Sequence, residues 1–356
     1  MRHCWQVIIE TPHGYALTTK NFNIYYENFM RKILTRTILM VSFISFFTDI
    51  ASEMLYPVMP VYLKSIGFSV LLIGILEGIA ECIAGLSKGY FGNLSDSIGK
   101  RVPFIRLGYI LSAISKPLLA AFVFPVWIFL ARCLDRIGKG VRTSARDAML
   151  SSETTPEHKG KVFGFHRGMD TAGAAIGPFI ALIFLSFYPL NYRVLFLIAF
   201  LPGIIASFFT FYLKDKTVDL NQVKKRIGFF SYLSYWKRSG KPYKLLIIGL
   251  LAFTFFNSTD AFLLLALKAK NFSDVQLIGF YIFYNILYAL LSFPLGIIAD
   301  KTGMKQILIF GLLVFSIVYF GFGFAVTPLH FILLFLLYAL YAASTEGISK
   351  AWITNI

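Results

Sequence analysis

The chain has 356 residues, 57% of them hydrophobic and only 15% charged, with a mean hydropathy of +0.69. A soluble domain is nearer half apolar and a quarter charged, so this composition excludes an ordinary water-soluble fold and points to a polytopic membrane protein. The net charge of +16 would suggest a nucleic-acid surface in a soluble protein, but in a membrane protein it marks basic cytoplasmic loops.

Residues 1–36 are polar and aromatic and lack the basic, apolar and small-residue succession of a signal peptide. They read as a cytoplasmic tail, or as an over-long start with Met30 as the true beginning. Apolar windows of about 20 residues then recur. Spans 1 to 3 are expected over Thr37–Leu63, Leu71–Phe91 and Val102–Val123, and spans 4 to 6 over Pro125–Ser144, Val162–Phe187 and Tyr192–Leu213. A basic linker, 214–244, follows this 37–213 bundle. Spans 7 to 10 are expected over Leu245–Ala266, Val275–Ile298, Met304–Val326 and Leu329–Ile348, so 245–356 reads as a four-span, truncated second bundle. Basic residues crowd the linker, as do Lys100, Arg101, Lys301 and Lys305 in the even-to-odd loops, which places these loops and the N-terminus in the cytoplasm. Cys4, Cys82 and Cys133 have the spacing of neither a metal site nor a disulfide framework.

Two loop segments repeat. GNLSDSIGKR (92–101) and GIIADKTGMK (296–305) share Gly92/Gly296, Asp96/Asp300, Gly99/Gly303 and the closing Arg101/Lys305 at identical spacing, each just after the second span of its half. Asp49 in span 1 and Asp260 in span 7 also fall at similar places. The loop pattern resembles the signature of the major facilitator superfamily of secondary transporters, and the first copy, with Lys100 and Arg101, fits it well. The resemblance covers the chain from about residue 36. It implies an all-α fold of two six-helix halves related by a parallel repeat, the second incomplete, with about ten spans counted here. It also implies that Lys100 and Arg101 bind carboxylates of neighbouring helices and latch the cytoplasmic gate. Asp96 is placed to cap the next helix; the bland alternative is a capped turn with topogenic cations.

Four carboxylates lie at membrane depth, Asp49 and Glu53 on span 1 and Glu77 and Glu81 on span 2, each pair four residues apart on one helix face. Such groups are costly in a bilayer unless they face a cavity or a partner. They are candidates for proton coupling or for static pairing with span 4. Span 4 carries Arg132, Arg136, Lys139, Arg142 and Arg146 at spacings of four, three, three and four, which is one helical stripe. Asp135 precedes Lys139 by four residues, the favourable order for a pair along one helix. The stripe either neutralises the acids or receives an anionic substrate. It lacks the aromatic platform of a nucleic-acid surface and the full phosphate-loop pattern. Together with the span 1 sequence it is similar to a bacterial subgroup of the superfamily.

In span 5, Gly164, Gly173, Gly177 and Pro178 resemble in part the antiporter motif of drug-exporting members, although Ala181 and Leu182 stand where a Gly-Gly pair is expected. Close helix packing alone is the other reading. Arg167 and Asp170 are one turn apart and form a candidate bundle-facing pair. In span 10, Glu346 and Lys350 are spaced for a pair along the helix. Phe255, Phe256, Tyr281 and Tyr284 are candidate cavity-wall aromatics, or lipid-facing and core residues.

The expected activity is therefore secondary active transport of a small solute by alternating access, coupled to protons, with export as the direction suggested by span 5. The alternatives are a truncated, non-transporting membrane protein and an organic-anion uptake carrier. No enzymatic reaction, cofactor or metal is expected, and no nucleic acid. The expected partners are a small-molecule substrate, protons and the lipid bilayer, for a monomer in a bacterial inner membrane.

Overall fold

Thr35 opens the first helix by accepting from the Ile38 amide at 3.3 Å, and helices follow one another to the end of the chain. The structure, a computed structural model, describes residues 34–215, 235–257 and 260–356. The N-terminal tail, most of the basic linker and Ser258 and Thr259 lie outside the described residues, as does the side chain of Asp260. Every regular element among the described residues is helical. The long helices are α1 (Arg36–Glu53), α2 (Val70–Ile98), α3 (Val102–Ala121), α4 (Pro125–Ser152), α5 (Lys159–Phe187) and α6 (Tyr192–Phe209). After the linker come α7 (Lys241–Phe256), α8 (Asp274–Thr302), α9 (Met304–Phe324) and α10 (Pro328–Ile353).

Local chemistry sets most boundaries. Ser69 caps α2, Ser273 with Gln276 forms a capping box at α8, and Thr327 with His330 forms one at α10. Gly99 closes α2 in the left-handed region at φ 68°, which is why glycine recurs at that loop position. Two expected spans are not continuous. Span 1 breaks after Glu53 and resumes as the short helix Met59–Ser65. Pro57 lacks an amide donor and its ring crowds the preceding turn. Span 7 breaks at Asn257 and resumes as Asp260–Ala269.

Among the described residues, six helices are long and apolar enough to cross a membrane by length and composition: α3, α5, α6, α8, α9 and α10. The charged stripe keeps α4 out of that group, although it is 28 residues long. The first six helices pack as one set, with α1 against α5 and α6, and α4 between α2 and α3. In the second set α10 packs on α8 and α9, while α7 buries only Leu246 among its described side chains. The α5–α8 contact joins the two sets, with α10 also touching α5. Aromatic side chains fill the second set, where Tyr284, Phe335 and Tyr338 meet Phe280, Phe322 and Phe331. The first set closes two clusters, one around Ile50, Met54 and Phe196 and one around Ile44, Tyr109 and Phe163.

Candidate functional site

Two glycines let the charged helix sit tightly among its neighbours. A Cβ on Gly138 would lie 2.6 Å from the Gly108 carbonyl oxygen of α3, and one on Gly140 would lie 2.9 Å from that of Ala84 in α2. With α4 clamped this way, its stripe points into the space between the two helix sets. On α5, a Cβ at Gly177 would lie 2.6 Å from the Met54 amide nitrogen, so Gly173 and Gly177 hold α5 against α1. One at Gly164 would lie 2.5 Å from the Ser292 carbonyl oxygen, so Gly160 and Gly164 hold α5 against α8. Pro178 is buried inside α5, next to Gly177.

The stripe is neutralised at its ends and open in its middle. Arg132 donates to Glu77 through Nε, at 3.0 Å, and through Nη2. Arg136 lies 3.3 Å from Glu81 and 3.6 Å from Glu77. At the other end Arg146 meets Asp147 at 3.0 Å, Ser45 at 3.0 Å and Asp170 at 3.9 Å. Between them, Lys139 and Arg142 have no carboxylate partner among the described residues, nor does Lys88 of α2. Arg142 instead lies over the Tyr109 ring, 4.7 Å from its centroid.

These three cations line a cavity of about 410 Å³. Asp49 and Glu53 of α1 line it too, without a cation partner within ion-pair distance among the described residues. Glu53 accepts a hydrogen bond from Tyr281 of α8 at 3.1 Å. Tyr284, Asn285 and Tyr288 continue that wall one turn at a time. Tyr281 and Tyr284 line this cavity and also belong to the buried core of the second set, whereas Phe255 and Phe256 are 88% and 82% exposed on the outside of α7. A site of this make-up can hold an anion by charge-assisted hydrogen bonds. Among the described residues no group of three or more His, Cys, Asp or Glu is placed to hold a metal.

Several expected pairs are re-partnered. Asp135 does not pair with Lys139. Lys116 of α3, 2% exposed, takes it at 2.7 Å, with Ser112 donating to the same carboxylate oxygen at 2.5 Å. Glu346 and Lys350 do not pair along α10: Glu346 joins Arg167 of α5, and Lys350 joins Asp147 of α4 at 3.1 Å. Arg167 also meets Asp170 at 3.3 Å, the pair expected along α5, and donates to the Tyr288 hydroxyl at 2.5 Å. In each case the helices meet closely enough for a partner from another element to outcompete the one four residues away.

The loop motifs are likewise rearranged. The cap of α3 comes from Asp215, which accepts from the Arg101 and Val102 amides at 2.7 and 2.9 Å, and not from Asp96, which is exposed. Arg101 donates to the Ala148 carbonyl and the Ser152 hydroxyl, both at 2.7 Å, instead of to a carboxylate; Lys100 and Lys305 are exposed. Gly92 faces Ser144 of α4, and Gly296 faces Gly160 of α5. The second motif's Asp300 crosses between the helix sets. Its two oxygens accept from the Gly160 and Lys161 amides at the start of α5, at 2.7 and 2.9 Å. Gly303, at φ 106°, closes that loop in a conformation that disfavours any side chain.

The profile of the Major Facilitator Superfamily matches residues 41–356. The chain belongs to this superfamily. It is 33% identical over 343 residues to an uncharacterised MFS-type transporter of Methanocaldococcus jannaschii, covering 94% of this chain and 84% of that protein. Citrate exporter 1 of Aspergillus niger is 25% identical over 168 residues, which cover 47% of this chain and 32% of the exporter. The crystal structure of the human organic anion transporter MFSD10 (TETRAN) superposes with a TM-score of 0.74 at 18% identity, over 90% of this chain and 86% of that one, and shares the fold.

As a Major Facilitator Superfamily transporter the chain is an integral membrane protein that moves solutes and is not an enzyme. The cavity between the helix sets, which both sets line, is the candidate site. Sequence reasoning overlooked Lys88 in its lining, and Lys116, Asp147 and His166 outside the lining, which partner Asp135, Lys350 and Ser42. Lys116 carried a usable signal, a lone lysine within an apolar span. His166 is 3% exposed, with Ser42 at 3.3 Å from Nδ1, and nothing in its spacing distinguished it from a helix-end residue.

Proposed function

We propose that the chain is a secondary transporter that carries a small organic anion through this cavity by alternating access, in exchange for protons. Lys88, Lys139 and Arg142 carry the reading, because three cations without carboxylate partners among the described residues line one cavity between the helix sets. Cations at membrane depth are retained at a cost, and an anionic substrate relieves it on each cycle. Asp49 is the proton carrier: it lines the cavity without a cation partner among the described residues, so no ion pair holds it ionised as it takes up and releases a proton between the two faces. The arrangement of the Major Facilitator Superfamily supplies two halves that rock about a central site.

In the orientation given by the basic loops, the N-terminus is cytoplasmic and the membrane is the bacterial plasma membrane. The Asp300 cap on α5 and the Lys350–Asp147 and Arg167–Glu346 bridges then lie toward the cytoplasmic side. Opening toward the cytoplasm requires all three to separate. Export is the favoured direction, supported by the Gly173, Gly177 and Pro178 pattern of α5. Uptake of the same anion is the second reading, supported by the basic cavity alone.

Proteoliposomes holding the purified chain and preloaded with a radiolabelled panel of carboxylates, from monocarboxylates and zwitterionic carboxylates to citrate, test this. Carboxylate efflux that an externally acid pH gradient accelerates, and that Lys139→Gln suppresses, is the expected result. Equal inactivity of folded wild type and variant toward every carboxylate would leave the non-transporting alternative standing.

A further inference from the structure

The cavity is chemically lopsided. Its α2 and α4 wall presents Lys88, Lys139 and Arg142, with Glu81 taken by Arg136, whereas the α1 and α8 wall presents Asp49, Glu53 and a run of tyrosines. We infer that the carried anion is a small zwitterion, with its carboxylate against Lys88, Lys139 and Arg142 and a substituted ammonium group against Glu53 and the rings of Tyr56, Tyr281 and Tyr284. This rests on the anion-transport reading and names the substrate class within it.

Three observations lead there. First, Glu53 lies within electrostatic range of Lys139 and Arg136 yet forms an ion pair with neither. A carboxylate and an ammonium that face one cavity without touching leave room for a dipolar ligand between them. Second, the hydroxyl of Tyr281 donates to Glu53 at 3.1 Å, which fixes the acid at the edge of the aromatic wall. Tyr56 and Tyr281 stack with centroids 6.3 Å apart and planes at 22°, and Tyr281 and Tyr284 are also 6.3 Å apart. Ring faces grouped beside a carboxylate are the chemistry that recognises alkylated ammonium groups. Third, tyrosine faces in this chain already take cations, with Arg142 4.7 Å from the Tyr109 centroid and Arg167 5.1 Å from that of Tyr288.

A dicarboxylate fits less well. Its second carboxylate would meet Glu53 and the electron-rich ring faces, and both repel it. A simple cation would bring its charge up to Lys139 and Arg142. Only a ligand with opposite charges at its two ends satisfies both walls, and about 410 Å³ suits a small metabolite.

The test uses thermal unfolding of the full chain in detergent with an isosteric pair of probes. Glycine betaine carries a trimethylammonium group, and tert-butylacetate replaces it with an uncharged group of the same shape. The expected result is half-saturation of the stabilising shift at roughly tenfold lower concentration for glycine betaine, the effect of about one desolvated cation–ring contact. Glu53→Gln should remove that preference while leaving the tert-butylacetate value unchanged. Tyr281→Leu should do the same, and Tyr281→Phe, which keeps the ring face, should retain most of it. Lys139→Gln should weaken both probes together. Equal half-saturation in wild type, or a Glu53→Gln effect that is the same for both probes, overturns the zwitterion assignment and leaves anion transport intact. Absence of saturable stabilisation by either carboxylate overturns the anion reading and this inference with it.

Discussion

Lys350 of α10 lies 3.1 Å from Asp147 of α4, so an ion pair joins the two helix sets where the spacing along α10 offered Glu346 as partner. Glu346 in turn crosses to Arg167 of α5. Two successive turns of α10 are thereby tied to the opposite set, and on the proposed alternating-access cycle these are contacts that a cytoplasm-open state must lose.

Removing one tie should bias that equilibrium. Lys350→Ala leaves Asp147 with Arg146 and deletes only the crossing bond. A half-exposed pair is worth about 0.2–1 kcal/mol, so the population of the cytoplasm-open state should rise by up to about fivefold. Alkylation of a Thr143→Cys probe, in a chain whose Cys4, Cys82 and Cys133 are replaced by serine, reports it. Unchanged labelling would show that the pair is not part of the closed-state lock.

The Lys116–Asp135 pair should behave differently because it is buried within one helix set. Lys116→Ala leaves the Asp135 carboxylate with hydroxyl donors only and should destabilise the protein by about 3 kcal/mol. Lys116→Met with Asp135→Leu removes both charges and should recover most of the loss. Unfolding midpoints in detergent compare the two variants.

Close approach of α5 and α8 should tolerate no added methyl group. A Gly164→Ala Cβ lies 2.5 Å from the Ser292 carbonyl oxygen, whereas Gly249→Ala on α7 meets nothing within 4 Å. Overpacking of this kind costs about 1–3 kcal/mol. Gly164→Ala should lower both the unfolding midpoint and transport, with Gly249→Ala near wild type in each.

The proton-carrier role assigned to Asp49 separates coupling from transport. Asp49→Asn cannot change charge, so efflux of preloaded carboxylate should no longer respond to an externally acid gradient. Exchange of internal for external carboxylate at equal pH should persist. A variant that still responds to the gradient would exclude Asp49 as the proton carrier. Lys139→Gln is the contrasting case: loss of one charge-assisted contact should reduce kcat/KM about tenfold at every pH.

How far the site was legible depended on which interactions a helix can specify alone. The stripe from Arg132 to Arg146 followed from a spacing that puts five cations on one face, and the Arg167–Asp170 pair followed from one turn of α5. The Asp135 and Glu346 pairings did not follow. Partners four residues apart compete with partners on other helices, and Lys116 and Arg167 prevailed because close helix packing brings them nearer. Asp300 was assigned to the loop motif, but its caps on Gly160 and Lys161 join residues 140 and 139 positions apart, beyond any local pattern.

By itself the sequence determined the solvent and the family. An excess of apolar residues in windows of spanning length requires a bilayer, and a twice-repeated loop with fixed glycine and acid positions marks the superfamily. It also determined which face of α4 is charged, since helical periodicity is a property of the chain. Only the tertiary structure decided which of those charges are satisfied. Partner choice depends on distances between helices far apart in sequence, and those distances leave Lys88, Lys139, Arg142, Asp49 and Glu53 around one cavity without ion-pair partners among the described residues.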